Sequence, residues 1–320
     1  MIYIGIDISK DSFVAAYPTK SGYTTKTFNN DTKGVRQFIK SLPDESHCVM
    51  EATGNYSMLL LYLLQQAGIL VSMENPQKIK HFSRAMMSVT KTDEIDAKLI
   101  AIYGEKMNPA PYKIPSESIL LLKQKRTVLR QLKKHLAATI NLQQSLAVLP
   151  KQDTTSKVAV EQTIKFLHKQ ISKMEEEITN LSNKEFKRQM DLLTSIKGIG
   201  NTLASALIVA TGGFTYFTSA KQISRFLGLC PTYQQSGTSV NIKGHINRNG
   251  DTHLRSQLYI AALSSLRCNT ACKEMYDRLR SNGKPGKVAL VAITNKLIRQ
   301  AFAVVNNNQP YIDGYVSTFA

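Results

Sequence analysis

The chain has 320 residues, with 41 Lys and Arg against 23 Asp and Glu and a formal net charge of +18. An excess of that size favours a polyanionic partner, with nucleic acid ahead of a membrane surface. No uninterrupted apolar run approaches the roughly 20 residues needed to cross a bilayer. The N-terminus enters a strand pattern without a cleavable leader, so the expected place is the cytosol. The four cysteines have no metal-binding spacing and read as reduced thiols.

Met1 to Asp7 is a short apolar run ending in an acid. Ser12 to Tyr17 and Tyr23 to Phe28 supply a hairpin partner and a third strand, and Thr32 to Ser41 has helical spacing. Cys48-Val49-Met50 is a brief buried strand that again ends in an acid, Glu51. Ala52-Thr53-Gly54-Asn55 then turns into an amphipathic helix, and Ile69 to Met73 is a further strand. After a basic, Met-containing segment, Thr92 caps a helix that opens with Asp93 and Asp96. This order predicts an α/β domain over 1–108, a mixed sheet covered by helices.

Asp7 and Glu51 fall at the C-terminal ends of central strands, and Asp93 and Asp96 share one face of a helix packed on the sheet. Acids in a first turn also suit the helix dipole, which is the plainer reading of the last two. Several carboxylates converging on buried strand ends imply a bound cation or protons held at raised pKa. Two-metal phosphoryl transfer uses such a set. Ile4-Gly5-Ile6-Asp7 also begins the phosphate hairpin of actin-like and sugar-kinase ATPases. The residues after it, Ile8, Ser9 and Lys10, do not suit that hairpin, and no duplicated second half follows.

Three prolines between Pro109 and Pro115 mark a linker, and a long helical, coiled-coil segment extends to 190. Its first helix, about Ser116 to Val148, has Leu129, Leu132, Leu136 and Ile140 on one side. Its other side carries Lys123, Lys125, Arg126, Arg130, Lys133 and Lys134, with Glu117 the nearest acid along the sequence. Six cations in about three turns suggest phosphate contacts, although a solvated face has the same composition. Its second helix carries Ile164, Leu167, Ile171, Met174, Ile178 and Leu181, a three-four alternation that suits an internal hairpin or an oligomer seam.

A mainly helical domain is expected over 191–320. Ile196-Lys197-Gly198-Ile199-Gly200 leads into a small-residue helix, as in a helix-hairpin-helix element whose amides meet phosphate. A plain helix-helix turn reads the same way. Tyr233 to Val240 is a polar, glycine-containing stretch with Ser236 inside it, and a basic loop with Lys243 and Arg248 follows, then a helix with Arg255. A loop serine is ordinary by itself. Neighbouring cations would stabilise a phosphate under attack and so suit a hydroxyl nucleophile.

Gly5-Ile6-Asp7, Glu51-Ala52-Thr53-Gly54-Asn55-Tyr56, Lys91-Thr92-Asp93 with Ile95-Asp96-Ala97, Ile196-Lys197-Gly198-Ile199-Gly200 and Ser236-Gly237 appear in this order. The set resembles the DEDD-type transposases of the one-hundred-ten family of insertion sequences, relatives of the Piv invertase and now known as bridge-RNA-guided recombinases. The resemblance covers nearly the whole chain. It implies a RuvC-like, ribonuclease-H-type first domain whose acids Asp7, Glu51, Asp93 and Asp96 are catalytic and bind Mg2+, with Mn2+ as a substitute. It places a nucleophilic serine at Ser236 in a transposase domain. The implied partners are double-stranded donor and target DNA, a noncoding guide RNA and further copies of the chain in a tetramer, where acids of one subunit meet the serine of another. Lys197 departs from the pattern, since many relatives have proline there. Two other classes stay open: a metal-dependent, structure-specific endonuclease that does not rejoin DNA, and a non-catalytic nucleic-acid-binding protein.

Overall fold

The computed structural model describes residues 1–87, 90, 92–236, 240–246 and 250–314, of which 232–236 and 240–245 are described as backbone only. The chain forms two compact units, Met1–Ile114 and Pro115–Ala320.

In the first unit, β1 (Ile2–Ile8), β2 (Ser12–Thr19) and β3 (Gly22–Asn29) form an antiparallel meander. Helix α1 (Thr32–Lys40) leads to β4 (Ser46–Glu51), and α2 (Met58–Gln66) leads to β5 (Leu70–Glu74). β4 lies parallel to both β1 and β5, which gives the order β3-β2-β1-β4-β5. Two helices, α3 (Pro76–Ala85) and α4 (Asp93–Met107), follow. The result is the mixed sheet covered by helices that the sequence pattern predicted, with the ribonuclease-H-like order that the family resemblance implied.

Strand alternation decides which residues meet which layer. Ile4, Ile6 and Ile8 of β1 point into a core with Val35 and Phe38 of α1 and Leu60, Leu61 and Leu64 of α2. Tyr3, Gly5 and Asp7 therefore face the opposite layer. There Val14 and Ala16 of β2 pack with Ala97 and Ala101 of α4, and Val49 packs with Ile100. Helix α3 was not apparent in the sequence beyond a basic segment. Its cap is Asn75, whose side chain accepts from the Gln77 N–H, with Pro76 opening the helix.

In the second unit, α5 (Glu117–Ala147) and α6 (Thr154–Thr194) form an antiparallel helical hairpin. Leu122, Leu129, Ile171 and Ile178 are its buried seam, so the three-four alternation is spent within the chain. Helix α6 is interrupted at Phe186, where the backbone leaves helical angles. Then come α7 (Asn201–Thr211), α8 (Ala220–Phe226), the antiparallel pair β6 (Pro231–Ser236) and β7 (Val240–Ile246), α9 (Thr252–Ser265), α10 (Thr270–Ser281) and α11 (Gly286–Asn306). The stretch read from sequence as polar and basic loops is thus a two-stranded hairpin, whose alternating Val240, Ile242 and Ile246 are a weak period-two signal among polar neighbours. Helix α11 has the length and mean hydropathy of a membrane-crossing helix. Its Ala289, Ile293, Leu297 and Ala301 are instead wholly buried in the core of this unit.

A buried histidine ties the first unit's linker to its sheet. His47 is 2% exposed, and its Nε2 lies 2.8 Å from Ser72 Oγ. Ser72 has one proton to donate, and the Pro109 and Ala110 carbonyls lie 2.9 and 2.8 Å away to take it. His47 Nε2 is therefore the donor to Ser72, and the buried Nδ1 is a bare lone pair without a partner among the described residues. Burial lowers the His47 pKa. A proton taken up on Nδ1 would have no acceptor. Between the folded pKa and the ordinary value of about 6.5 the unfolded chain holds more protons, so this group stabilises the fold above pH ~6.5 and less as pH falls below it. We expect lowering the pH from 7 to 5 to reduce the melting temperature of the full chain relative to that of His47→Gln, whatever the other titrating groups contribute to both. Equal slopes in thermal melts of the two proteins would refute this assignment.

Candidate active site

Ile6 pairs with Met50 across the parallel β1–β4 ladder, which brings the next residues, Asp7 and Glu51, side by side on strands about 4.8 Å apart. Both are partly exposed and point to the layer that holds α4. Thr92 caps α4 by accepting from the Ile95 N–H, and Asp93 and Asp96 occupy the first turn. Asp96 shares a helix face with Ala97 and Ile100, which are buried against the sheet.

Glycine sets how close this helix comes. A Cβ on Gly5 would stand 2.2 Å from both the Ala101 nitrogen and the Ala97 carbonyl oxygen, so α4 lies backbone against backbone on β1. One on Gly104 would meet the Tyr3 ring at 2.8 Å. These two glycines bring the first turn of α4 toward the end of β1. The electrostatic consequence appears at Asp7, whose pKa is raised to about 6 by burial first, then by the charges of Asp96, Asp93 and Glu51. The four acids singled out in the sequence thus share one neighbourhood. Among the described residues, no three such side chains stand close enough to hold one ion together. They are neighbours in charge rather than a closed cage. Hard carboxylate oxygens of this kind are nonetheless the donors that Mg2+ and Mn2+ take.

A fifth carboxylate escaped the sequence reading. Glu74 pairs with Glu51 in the β4–β5 register. Lys78, one turn into α3, is 2.7 Å from it and compensates its charge. The i,i+4 spacing of Glu74 and Lys78 was a signal available in the sequence.

The other proposed residues lie in the second unit. Ser236 ends β6 opposite Val240, and Lys243 lies within β7; both are placed by backbone. Arg248 lies outside the described residues. The six cations of α5 divide in two. Lys125 pairs with Glu177 of α6, and Lys133 lies 2.6 Å from Glu175. Arg126 donates to the Thr202 carbonyl at 3.2 Å and to Gln257 at 3.4 Å. Lys123, Arg130 and Lys134 are exposed and form no ion pair among the described residues. At 100° per residue these three fall within about 40° of one another, on the side away from the Leu122–Leu129 seam. Arg255 is engaged inside the unit, donating to the Leu227 carbonyl at 3.0 Å.

The glycine hairpin joins α6 to α7. Gly198 has φ +107°, and a Cβ there would stand 2.7 Å from Ser265 of α9. Packing on α9 therefore requires this glycine. Gly200 caps α7. Lys197 lies 3.1 Å from Asp313, which also accepts from the N–H and hydroxyl of Thr270 at the start of α10.

Residues 4–150 match the IS110 DEDD transposase family, and residues 190–277 match the transposase IS116/IS110/IS902 family. The chain is 31% identical to the pilin gene-inverting protein of Moraxella bovis, over 97% of each chain. The chain belongs to the IS110 transposase family. It is also 32% identical to the IS110 43.6 kDa protein of Streptomyces coelicolor, over 38% of this chain and 29% of that one. Among solved structures it is similar to T. thermophilus RuvC in complex with Holliday junction substrate. That match is 12% identical and covers 35% of this chain and 99% of that one, with a TM-score of 0.26. As an IS110-family transposase the chain is an enzyme of DNA recombination.

Because the atoms nearest the missing Cβ of Gly5 are backbone, Gly5→Ala should force α4 away from β1, at a cost on the order of 1–3 kcal/mol. Thermal melts should show the loss. If Asp93 and Asp96 serve the reaction as the family resemblance implies, DNA cleavage should fall further than the folded fraction does, because both ride on α4. Adding Ala101→Gly should not rescue either readout. A rescue would mean that a side chain, rather than the helix backbone, sets the spacing.

Proposed function

We propose that this transposase cleaves and rejoins donor and target DNA through a phosphoserine intermediate, with Asp7, Glu51, Asp93 and Asp96 binding Mg2+ or Mn2+ and Ser236 as nucleophile. The observation that carries the reading is the placement of the four acids at the ends of the paired strands β1 and β4 and in the first turn of α4, which packs backbone to backbone on β1 at Gly5. Burial and then their mutual repulsion raise the Asp7 pKa. Carboxylates held together in this way repel one another until a cation or proton joins them. Bound Mg2+ would offset charge on the phosphate oxygens and on the leaving oxygen. In this reading Asp7 of β1, Glu51 of β4 and Asp93 and Asp96 of α4 would together hold the cation and so position the phosphate. The Ser236 hydroxyl gives up its proton as its oxygen bonds to phosphorus, and one bridging P–O bond to deoxyribose breaks, its oxygen keeping the electron pair and taking up a proton to leave as a free hydroxyl. The serine ester keeps the phosphate activated, and a deoxyribose hydroxyl of the other DNA displaces Ser236 by the reverse exchange. One phosphate ester replaces another at each step, so rejoining needs no outside energy source.

In the same proposal a noncoding guide RNA chooses the sites by base pairing, and a tetramer brings acids and serine of different subunits together. The protein would then contact mainly nucleic-acid backbone, which suits the exposed stripe Lys123, Arg130 and Lys134.

Two experiments test this reading. Incubated with cognate DNA and Mg2+, the protein should give a covalent protein–DNA adduct that survives denaturation. Ser236→Ala should abolish the adduct and strand cleavage, and chelation should abolish both in the wild type. Broken strands without an adduct would instead indicate a hydrolytic nuclease. Replacing Lys123, Arg130 and Lys134 together by Gln should weaken binding equally on unrelated sequences. It should also flatten the slope of log affinity against log salt by about 0.9 for each duplex phosphate that is no longer neutralised. An unchanged slope would take this stripe out of the interface.

A further inference from the structure

The ends of β1 and β4 that carry Asp7 and Glu51 are joined by a side chain from a third strand. Asn30 follows the last residue of β3, immediately before Asp31, the cap of α1. Its Nδ2 donates to the Ser9 carbonyl at 3.0 Å and to the Lys10 carbonyl at 3.4 Å, both in the loop that leaves β1. The same Nδ2 donates to the Tyr56 carbonyl at 3.0 Å, in the turn that leaves β4. The backbone N–H of Asn30 donates to the Asp11 carbonyl at 2.9 Å, which completes the grip on the β1–β2 loop.

Both gripped segments are themselves stiff. Ser9 donates its hydroxyl to the Ser12 carbonyl at 2.8 Å, closing the β1–β2 loop on itself. In the turn after Glu51, Ser57 Oγ donates to the Gly54 carbonyl at 3.0 Å, and Gly54 has φ +63°. The two segments thus transmit the position of Asn30 to residues two and five places from the acids. The β1–β4 ladder runs as far as Ile6 and Met50, so beyond it the side-chain amide links the two strand ends in place of the ladder. Asn30 Oδ1 is buried without a partner among the described residues, so this side chain is held by its donor end.

We propose that Asn30 is a positioning residue that fixes the separation of Asp7 and Glu51, and thereby the affinity of the acid set for a divalent cation. This rests on the metal reading given above. Aspartate has the same shape as asparagine, but an ionised carboxylate in place of Nδ2 would face three carbonyl oxygens and could donate to none of them. Alanine removes the grip without adding charge.

The test is Mn2+ binding to the full-length protein without nucleic acid, by titration calorimetry or electron paramagnetic resonance, alongside thermal melts. Asn30→Asp and Asn30→Ala should each weaken Mn2+ binding at least tenfold while remaining cooperatively folded. The Mg2+ concentration that half-saturates DNA cleavage should rise by a similar factor. A residue that serves only stability would lower the melting temperature and leave both metal readouts in place, and that result in the alanine variant would overturn the proposal. If wild type takes up no Mn2+ at millimolar concentration, the metal reading itself fails and this inference falls with it. Normal uptake by wild type and by both variants refutes the role of Asn30 alone.

Discussion

The first unit depends on one close approach, the backbone of α4 lying directly on the backbone of β1 at Gly5. A helix normally rests on a sheet with side chains between the two, at about 10 Å separation. Here Gly5, Ala97, Ala101 and Gly104 remove most of that layer. The helix begins at Thr92, whose cap fixes its first turn, so lowering the helix also lowers Asp93 and Asp96. Larger residues at those positions would leave each element intact and still separate the acids. The packing seam and the proposed site are for this reason one structural feature.

The same close approach stabilises the layer and destabilises its charges. With Asp7 raised to about 6, the folded chain between pH 3.8 and about 6 holds a proton that the unfolded chain has given up. Crowded carboxylates therefore weaken the fold as pH rises through that range, and a cation bound among them would reverse the loss. His47, some way back along β4, acts in the opposite sense, because its buried ring resists a proton that the unfolded chain accepts. The unit thus has two titrating groups of opposite sign on one face of one sheet. The acid cluster is the group proposed to bind a cation, whereas the Nε2 of His47 is engaged by Ser72, which reaches the linker carbonyls.

Much of this was legible in the sequence. Short apolar runs ending in Asp7 and Glu51, and the Thr92 cap before Asp93 and Asp96, have signals that are local along the chain. The strand alternation that turns Tyr3, Gly5 and Asp7 toward α4 is local as well. Features that rest on distant partners were not legible. Asn30 is one asparagine among several in turns, and its three carbonyl acceptors lie 20 to 26 residues away. Gly198 read as a residue for close approach of phosphate. Its packing against Ser265 of α9 gives it a structural reason that no local pattern contains. The β6–β7 hairpin was missed because its polar residues outnumber the alternating aliphatic ones.

The cations of α5 show how far composition alone can be carried. Six of them in about three turns looked like one phosphate-binding face, but a helix has sides. Residues 125, 126 and 133 fall within about 100° of one another on the side of the helix that meets its neighbours. There Glu175, Glu177 and the Thr202 carbonyl occupy them. Lys123, Arg130 and Lys134 lie about 100° further round the helix, with Arg126 only about 40° from Arg130, and no acid among the described residues forms an ion pair with them. Desolvating a cation that is already paired costs a polyanion more than meeting a solvated one. The outer three are therefore the cations that a nucleic-acid backbone would engage first, and the inner three hold α5 to its neighbours.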